Sequence, residues 1–125
     1  MGLDMFAVVT EEVVQGEVDF EPNEDGISLF FQWRKHPNLH GFFESLYERK
    51  GGMEVFNCGA RVKLSLNDLE ALEKAVRAKL LPPTEGFFFG KSEGNRQERR
   101  IDLQFVKKAR IAIKEGKTIY YTSWW

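Results

Sequence analysis

Two stretches near the start of the chain have the hydrophobic pattern of strands. Met5–Val14 is rich in β-branched and apolar residues, and in Ile27–Trp33 the residues Leu29, Phe31 and Trp33 alternate with Ser28, Phe30 and Gln32. Alternation with a period of two is typical of a half-buried strand. A turn-forming segment with Pro, Asn, Asp and Gly separates the two stretches. The pattern predicts two strands, with Leu29, Phe31 and Trp33 on the inward side of the second.

A first helix is predicted directly after the second strand. Pro37 disfavours helical geometry at His36, and Asn38 is placed to cap a helix that begins at Leu39. The Gly51-Gly52 pair is a typical helix end. The apolar residues of this helix recur at 3.6-residue spacing on one face: Leu39, Phe42, Phe43 and Leu46.

The clearest helix signal follows Ser65, which with Asp68 three residues later predicts a capping box. Pro82-Pro83 predicts the end of this second helix. Its expected inward residues are Leu66, Leu69, Leu72, Val76 and Leu80.

A third helix is predicted from Arg100 to Glu115, closed by Gly116. Its expected core residues are Ile101, Phe105, Val106, Ala109, Ala112 and Ile113. Further strands are predicted within 53–64, in the "GFFFG" segment at 86–90 and in the aromatic segment at 117–125. Together the elements predict a single α+β domain over residues 1–125, with one mixed or mostly antiparallel sheet and about three helices.

Charge is distributed unevenly along the chain although the net charge is only −1. Residues 1–27 contain eight acids and no Lys or Arg, whereas residues 91–117 contain nine cations and four acids. Either the two segments lie close together and neutralise each other, or each is a docking face specific for the opposite sign. The near-zero total disfavours general nucleic-acid binding.

Composition narrows the setting further. The aromatic content of 14% argues against disorder. No apolar run is long enough for a spanning helix, and the acidic N-terminal segment is unlike a signal peptide. A single cysteine, Cys58, fits a reducing compartment and suits a small buried side chain. We expect a cytoplasmic protein without a membrane association.

The sequence WRKHPNLHG, residues 33–41, contains one tryptophan, two cations and two histidines within nine residues. A cationic loop at a helix N-terminus can bind an anion, which predicts ligand contacts from Arg34, Lys35, His36, Asn38 and His40. His36 and His40 have the i, i+4 spacing of metal ligands, but Pro37 excludes His36 from the helix, and zinc sites use three or four ligands. We therefore expect no metal and no cofactor.

Two other features suggest contacts with a protein. The first is a ridge of cations on one face of the third helix, formed by Arg100, Lys107, Arg110 and Lys114. This ridge could dock an acidic partner or a phosphate backbone. A solvated surface is the commoner explanation of such a pattern. The second feature is the pair of tryptophans Trp124 and Trp125. Tryptophan is frequent in binding hot spots, but one or both of these side chains could instead pack against the sheet.

Five segments together resemble a family of small uncharacterised bacteriophage and bacterial proteins. They are MGLDM (1–5), WRKHPNLHG (33–41), LNDLEALE (66–73), GFFFG (86–90) and EGKTIYYTSWW (115–125). Some members of that family bear the name phosphoglycerate kinase, but this chain has neither the length nor the nucleotide site of that enzyme. The resemblance implies an accessory protein, plausibly phage-borne, and supplies no catalytic residues.

These observations favour a non-enzymatic interaction module that binds a host protein or a small anionic ligand. Polarised charge, the aromatic 124–125 pair and the lack of a coherent catalytic set motivate this hypothesis. The alternative is a small enzyme that acts on a phosphorylated or carboxylated substrate through His36 or His40, with Arg34 or Lys35. Self-association into a homo-oligomer through an edge strand is a third possibility.

Overall fold

The computed structural model describes residues 2–57, 59–86 and 89–125. The helices and strands are, in chain order, β1 (Asp4–Thr10), β2 (Ile27–Arg34), α1 (Pro37–Arg49), β3 (Val62–Leu64), α2 (Leu66–Arg77), α3 (Arg96–Lys114) and β4 (Thr118–Trp124). Within the described residues the strands form one sheet in the order β2-β1-β4-β3, and every neighbouring pair is antiparallel. The predicted α+β fold is confirmed, with a fully antiparallel sheet.

Helices α1 and α3 cover one face of the sheet, and α2 packs against α3. Phe43 of α1 stacks on Tyr121 of β4 with ring centroids 4.1 Å apart. Phe105 of α3 meets the edge of Trp33 in β2 at 4.7 Å. Aromatic pairs of this kind contribute about 0.5–1.5 kcal/mol beyond the area they bury. The core is therefore an aromatic layer between the sheet and the helices.

A β-bulge at Phe30 corrects one of the predictions. The register between β1 and β2 shifts there by one residue, and the rings of Phe30 and Phe31 both contact Phe105, at 6.3 and 5.4 Å. A bulge reverses the alternation of the residues before it. Leu29 was predicted to point inward, but it points to the opposite face and is 59% exposed. Trp33, which follows the bulge, is buried as predicted.

The capping box of α2 is confirmed. Ser65 Oγ accepts the Asp68 N–H at 3.1 Å, and Asp68 Oδ2 accepts the Ser65 N–H at 2.8 Å. The helix ends at Arg77, earlier than predicted, so Leu80 lies beyond the helix and is 73% exposed instead of inward. Leu66, at the first helical position, was also predicted to point inward but is exposed. The remaining predicted core residues are buried: Leu69, Leu72 and Val76.

Helix α3 begins four residues earlier than predicted because Asn95 caps it. The Asn95 side chain accepts the Glu98 N–H at 2.8 Å. Four predicted core residues are buried, namely Phe105, Val106, Ala109 and Ala112, and Ile113 is half-buried. Ile101 is exposed, and Asp102 takes the buried position instead.

The remaining strand predictions meet different outcomes. Strand β1 ends at Thr10, not Val14, because Thr10 Oγ1 accepts the Glu12 N–H at 3.2 Å and the chain turns. Among the described residues of segment 53–64, β3 is the one strand, and the strand predicted at 117–125 is confirmed as β4. The predicted strand at 86–90 is absent at 86, 89 and 90, where a turn joins the Phe89 N–H to the Gly86 carbonyl. Residues 58, 87 and 88 lie outside the described part of the chain.

Candidate functional site

The turn between β2 and α1 carries the predicted ligand-binding residues. Lys35 adopts a left-handed φ of 53°, and its N–H donates to the Leu3 carbonyl at 2.8 Å. The Lys35 side chain lies against Gly90, where a Cβ would come within 3.0 Å of it. Arg34 points outward and pairs with Asp4 at 3.2 Å. The turn is therefore tied both to the start of β1 and to the loop that precedes α3.

Helix α1 receives its cap from that same loop. We predicted Asn38 as the N-cap, but the helix begins at Pro37 and His36 occupies the N-cap position without a capping side chain. Because proline has no N–H, the Asn38 N–H is the first donor of the helix that needs a partner. Ser92 Oγ accepts it at 3.1 Å, and Asn38 Oδ1 accepts the Thr84 N–H at 3.0 Å.

His36 lies at the centre of a buried polar cluster, here called the His36 centre, with Ser92, Asp102, Trp33 and Glu98. Its Nδ1 is 2.7 Å from Ser92 Oγ, and its Nε2 is 2.9 Å from Asp102 Oδ2. The indole N–H of Trp33 donates to the other Asp102 oxygen at 3.2 Å, and Glu98 Oε1 lies 3.7 Å from His36 Nε2. His36 is 4% exposed and Asp102 is 1% exposed.

The carboxyl of Asp102 depends on these partners. Burial raises its pKa, and the hydrogen bond from His36 is the largest effect in the opposite direction. A buried carboxylate without hydrogen-bond donors would cost several kcal/mol, so the indole and imidazole N–H groups are what make this position tolerable for an acid. The cluster therefore joins three separate parts of the fold: β2, α3 and the loop that contains Ser92.

The second histidine has a different environment. His40 is fully buried on α1, and its Nδ1 is 2.7 Å from the Tyr121 hydroxyl. The rings of Phe56 and Phe89 lie 5.0 and 5.1 Å from the imidazole. Burial lowers the pKa of His40 to about 4 and raises that of Tyr121. Among the described residues the Nε2 of His40 has no hydrogen-bond partner. His40 is therefore a neutral core residue at physiological pH.

The five predicted ligand-binding residues do not converge on one cavity. A cleft of about 380 Å³ beside the His36 centre is lined by Arg34 and His36, but not by Lys35, Asn38 or His40. Asn38 instead borders a neighbouring groove of about 540 Å³, together with Ser92. The hypothesis of a single anion site formed by all five residues therefore lacks a common cavity among the described residues, whereas Arg34 and His36, one of the pairs of the enzyme alternative, share the cleft.

A second concave surface lies between α2 and α3. This basic groove has a volume of about 630 Å³, and its lining combines cationic side chains with an apolar and amide floor: Arg77, Arg96, Arg99, Arg100, Lys107, Val76, Leu103 and Gln104. Two residues of the predicted ridge, Arg100 and Lys107, belong to it. Arg110 is instead paired with Glu73 at 2.9 Å, and the exposed Lys114 lies outside the groove.

The two tryptophans at 124 and 125 differ in exposure. Trp125 is half-buried, its indole N–H donates to the Phe56 carbonyl at 3.0 Å, and its backbone exchanges two hydrogen bonds with Asn57. Trp124 is 64% exposed on the sheet face opposite the helices, whereas Tyr120 on the same face is 2% exposed and meets the Phe20 ring at 5.1 Å. Of the pair, Trp124 is the residue available to a partner.

The acidic segment does not neutralise α3. Within the described residues, the ion pairs of segment 1–27 join Asp4 to Arg34 and Glu17 to Lys50 and Lys63, and none reaches residues 91–117. Lys117 borders a depression lined by acids of that segment, without an ion pair to them. The exposed acids of segment 1–27 and the cations of α3 therefore form an acidic and a basic surface that no ion pair between described residues joins.

Sequence reasoning missed Asp102 and Ser92. Asp102 had a detectable signal, because the buried positions 102, 105, 106 and 109 follow helical spacing, and an acid on that face needs a partner. Ser92 lies in a polar loop whose composition carries no such signal. Only the fold brings it to His36, 56 residues away in the chain.

Comparisons with family models, with curated proteins and with solved structures give no match to this chain. Among residues 2–57, 59–86 and 89–125, no helix is long and apolar enough to cross a membrane, and no three His, Cys, Asp or Glu side chains form a metal-binding group.

Proposed function

We propose that this protein is an interaction module that binds an acidic, partly apolar protein segment in the basic groove between α2 and α3. The observation that carries the proposal is the composition of the groove, in which five Arg and Lys side chains surround a floor that includes Val76 and Leu103. An acidic rim and apolar anchors are the complement of such a surface. The proposal keeps the expectation of a cytoplasmic accessory protein of phage or bacterial type.

The cations of the groove are not equivalent. Arg77 is bound to Glu73 at 3.1 Å, and Arg99 donates to the Gly94 carbonyl at 3.0 Å. The exposed side chains of Arg96, Arg100 and Lys107 make no ion pair with any described residue. Paired cations position the groove walls, whereas the three others can exchange water for a carboxylate of the partner.

The charge pattern favours an acidic protein segment over nucleic acid. General affinity for a phosphate backbone is disfavoured by a net charge of −1 and by the eight acids of segment 1–27. A peptide a few residues long can occupy the groove without approaching the acidic surface. The apolar floor also offers nothing to a phosphate, but it can receive an aliphatic side chain.

The test uses a fluorescent synthetic peptide of Glu and Leu at helical spacing, with binding measured by anisotropy. We expect the Arg96→Gln/Arg100→Gln variant to bind about tenfold more weakly, which corresponds to about 1.4 kcal/mol. The control variant Arg49→Gln/Lys74→Gln loses the same net charge from exposed positions outside the groove. It should bind as the wild type does, and added salt should weaken binding of the wild type.

Three outcomes would contradict the proposal. Equal loss in the two variants would indicate a general charge effect instead of a groove. Tighter binding of a duplex DNA probe than of the peptide would indicate nucleic-acid recognition. Self-association that disappears at high salt without added peptide would identify the acidic surface of a second copy as the occupant.

A further inference from the structure

A chain of hydrogen bonds links an accessible serine to a buried carboxylate through His36. Ser92 Oγ is 2.7 Å from His36 Nδ1, and His36 Nε2 is 2.9 Å from Asp102 Oδ2. We propose that Ser92 is a nucleophile activated by His36, and that it transfers the acyl group of small carboxylic esters to water. This activity is independent of the basic groove, because the two sites share no residue.

The hydrogen bonds select the tautomer that nucleophilic catalysis needs. Ser92 Oγ already accepts the Asn38 N–H at 3.1 Å, so its own hydrogen is free to point at His36 Nδ1. Nδ1 is then the acceptor, and the proton on Nε2 is donated to Asp102. Asp102 is itself fixed by the Trp33 indole N–H at 3.2 Å. The imidazole thus presents its free lone pair to the serine hydroxyl.

Two carboxylates stabilise the charge that the reaction creates on the ring. When His36 takes the serine proton it becomes an imidazolium, with Asp102 at 2.9 Å and Glu98 at 3.7 Å from Nε2. Both carboxylates attract the positive charge as it forms on the ring. Asp102 and Trp33 act as positioning residues, because they touch the imidazole or its partner and not the ester.

Access is provided on the serine side of the imidazole. Ser92 is half-buried and borders the groove of about 540 Å³, which is lined also by Pro37, Pro83, Thr84 and Lys91. A cavity of this size accepts a small ester. The Asn38 N–H donates to Ser92 Oγ at 3.1 Å and so fixes the position of the nucleophilic oxygen beside this groove.

Each step of the reaction balances. Ser92 Oγ forms a bond to the carbonyl carbon while its proton passes to His36 Nδ1, and the carbon–oxygen bond to the leaving alcohol breaks as that alcohol takes the proton back. Water then attacks the acyl carbon and gives a proton to Nδ1. The bond from carbon to Oγ breaks, and the proton returns to Oγ with release of the carboxylic acid.

The experiment treats the folded full chain with a biotinylated fluorophosphonate, which phosphonylates an activated serine and releases fluoride, and maps the adduct by peptide mass spectrometry. We expect one adduct, on Ser92. The Ser92→Ala variant should lose it, and the control Ser45→Ala, which removes an exposed serine of α1, should keep it. His36→Gln should lower the labelling rate about 100-fold, and Asp102→Asn about tenfold.

Hydrolysis of p-nitrophenyl acetate should follow the same order among the variants. The proposal is overturned if the folded wild type gives no adduct, if the adduct lies on another residue, or if folded His36→Gln is labelled at the wild-type rate. The last outcome would leave Ser92 as a cap of α1 only. Mapping of the wild-type adduct decides the question even if a substitution in the buried cluster prevents folding.

Discussion

Buried His40 should make the stability of this protein depend on pH in a range where most carboxylates stay ionised. Burial lowers its pKa from the ordinary 6.5 to about 4. In the unfolded chain the imidazole is solvated and keeps the ordinary value. As pH falls below that value, the unfolded chain binds a proton that the folded chain refuses, so the free energy of unfolding must decrease.

The magnitude follows from the two pKa values. Each pH unit between them is worth about 1.4 kcal/mol, and the full difference corresponds to about 3 kcal/mol. Between about pH 7 and pH 5, His40 should account for a loss of about 2 kcal/mol. His40 is 0% exposed, so solvent does not screen the charge of a protonated ring, and the whole difference between the two pKa values contributes to the free energy of unfolding.

The assay is urea unfolding followed by tryptophan fluorescence at several pH values, for the wild type and for His40→Gln. Glutamine can still meet the Tyr121 hydroxyl but cannot titrate. Every other ionisable group is present in both proteins, so the contributions of those groups cancel in the difference between the two curves. Parallel curves for wild type and variant would refute the reasoning, because they would mean that the folded protein protonates His40 as readily as water-exposed histidine.

Two further predictions concern stability alone. Gly41→Ala should lower the urea midpoint, because the new Cβ would lie 1.9 Å from Thr84 Oγ1, although alanine is normally better than glycine in a helix by about 1 kcal/mol. Adding Thr84→Gly should restore much of the lost stability. A urea midpoint above that of the wild type for the single variant would exclude the contact. Ser65→Ala should lower the free energy of unfolding by about 1 kcal/mol through loss of the capping box, measured by the same urea unfolding. The control Ser45→Ala, in the middle of α1, should leave the stability close to that of the wild type. Equal effects of the two substitutions would argue against the cap.

A self-contained local signal predicted the start of α2, whereas the equally local Asn95 cap of α3 was missed. The box formed by Ser65 and Asp68 lies within four residues, so the start of α2 could be read directly. The start of α1 could not, because its cap is Ser92 from a distant loop. The bulge at Phe30 likewise depends on pairing with β1, and it reverses the orientation of Leu29. Alternation within one strand contains no information about such a shift.

The site was predictable only in part for the same reason. His36 was singled out from its local sequence, but its partners on α3 and in the 90–95 loop are set by tertiary packing. The sequence grouped His36 and His40 as ligand-binding residues of one turn, but their environments differ. The His36 ring is hydrogen-bonded to a carboxylate, whereas the His40 ring packs against aromatic rings. A five-residue motif cannot distinguish these environments.

The position of β4 has a kinetic consequence. This strand follows all the others along the chain, yet it lies between β1 and β3, and its pairs with β1 run from Thr10–Thr118 to Asp4–Trp124. Closing loops of more than 100 residues costs conformational entropy before any contact compensates it, so contact order predicts slow folding for a chain of this size. Until β4 arrives, one edge of β1 has no partner and can pair with another chain. Partly folded molecules should therefore aggregate at high concentration, and refolding yield should improve on dilution.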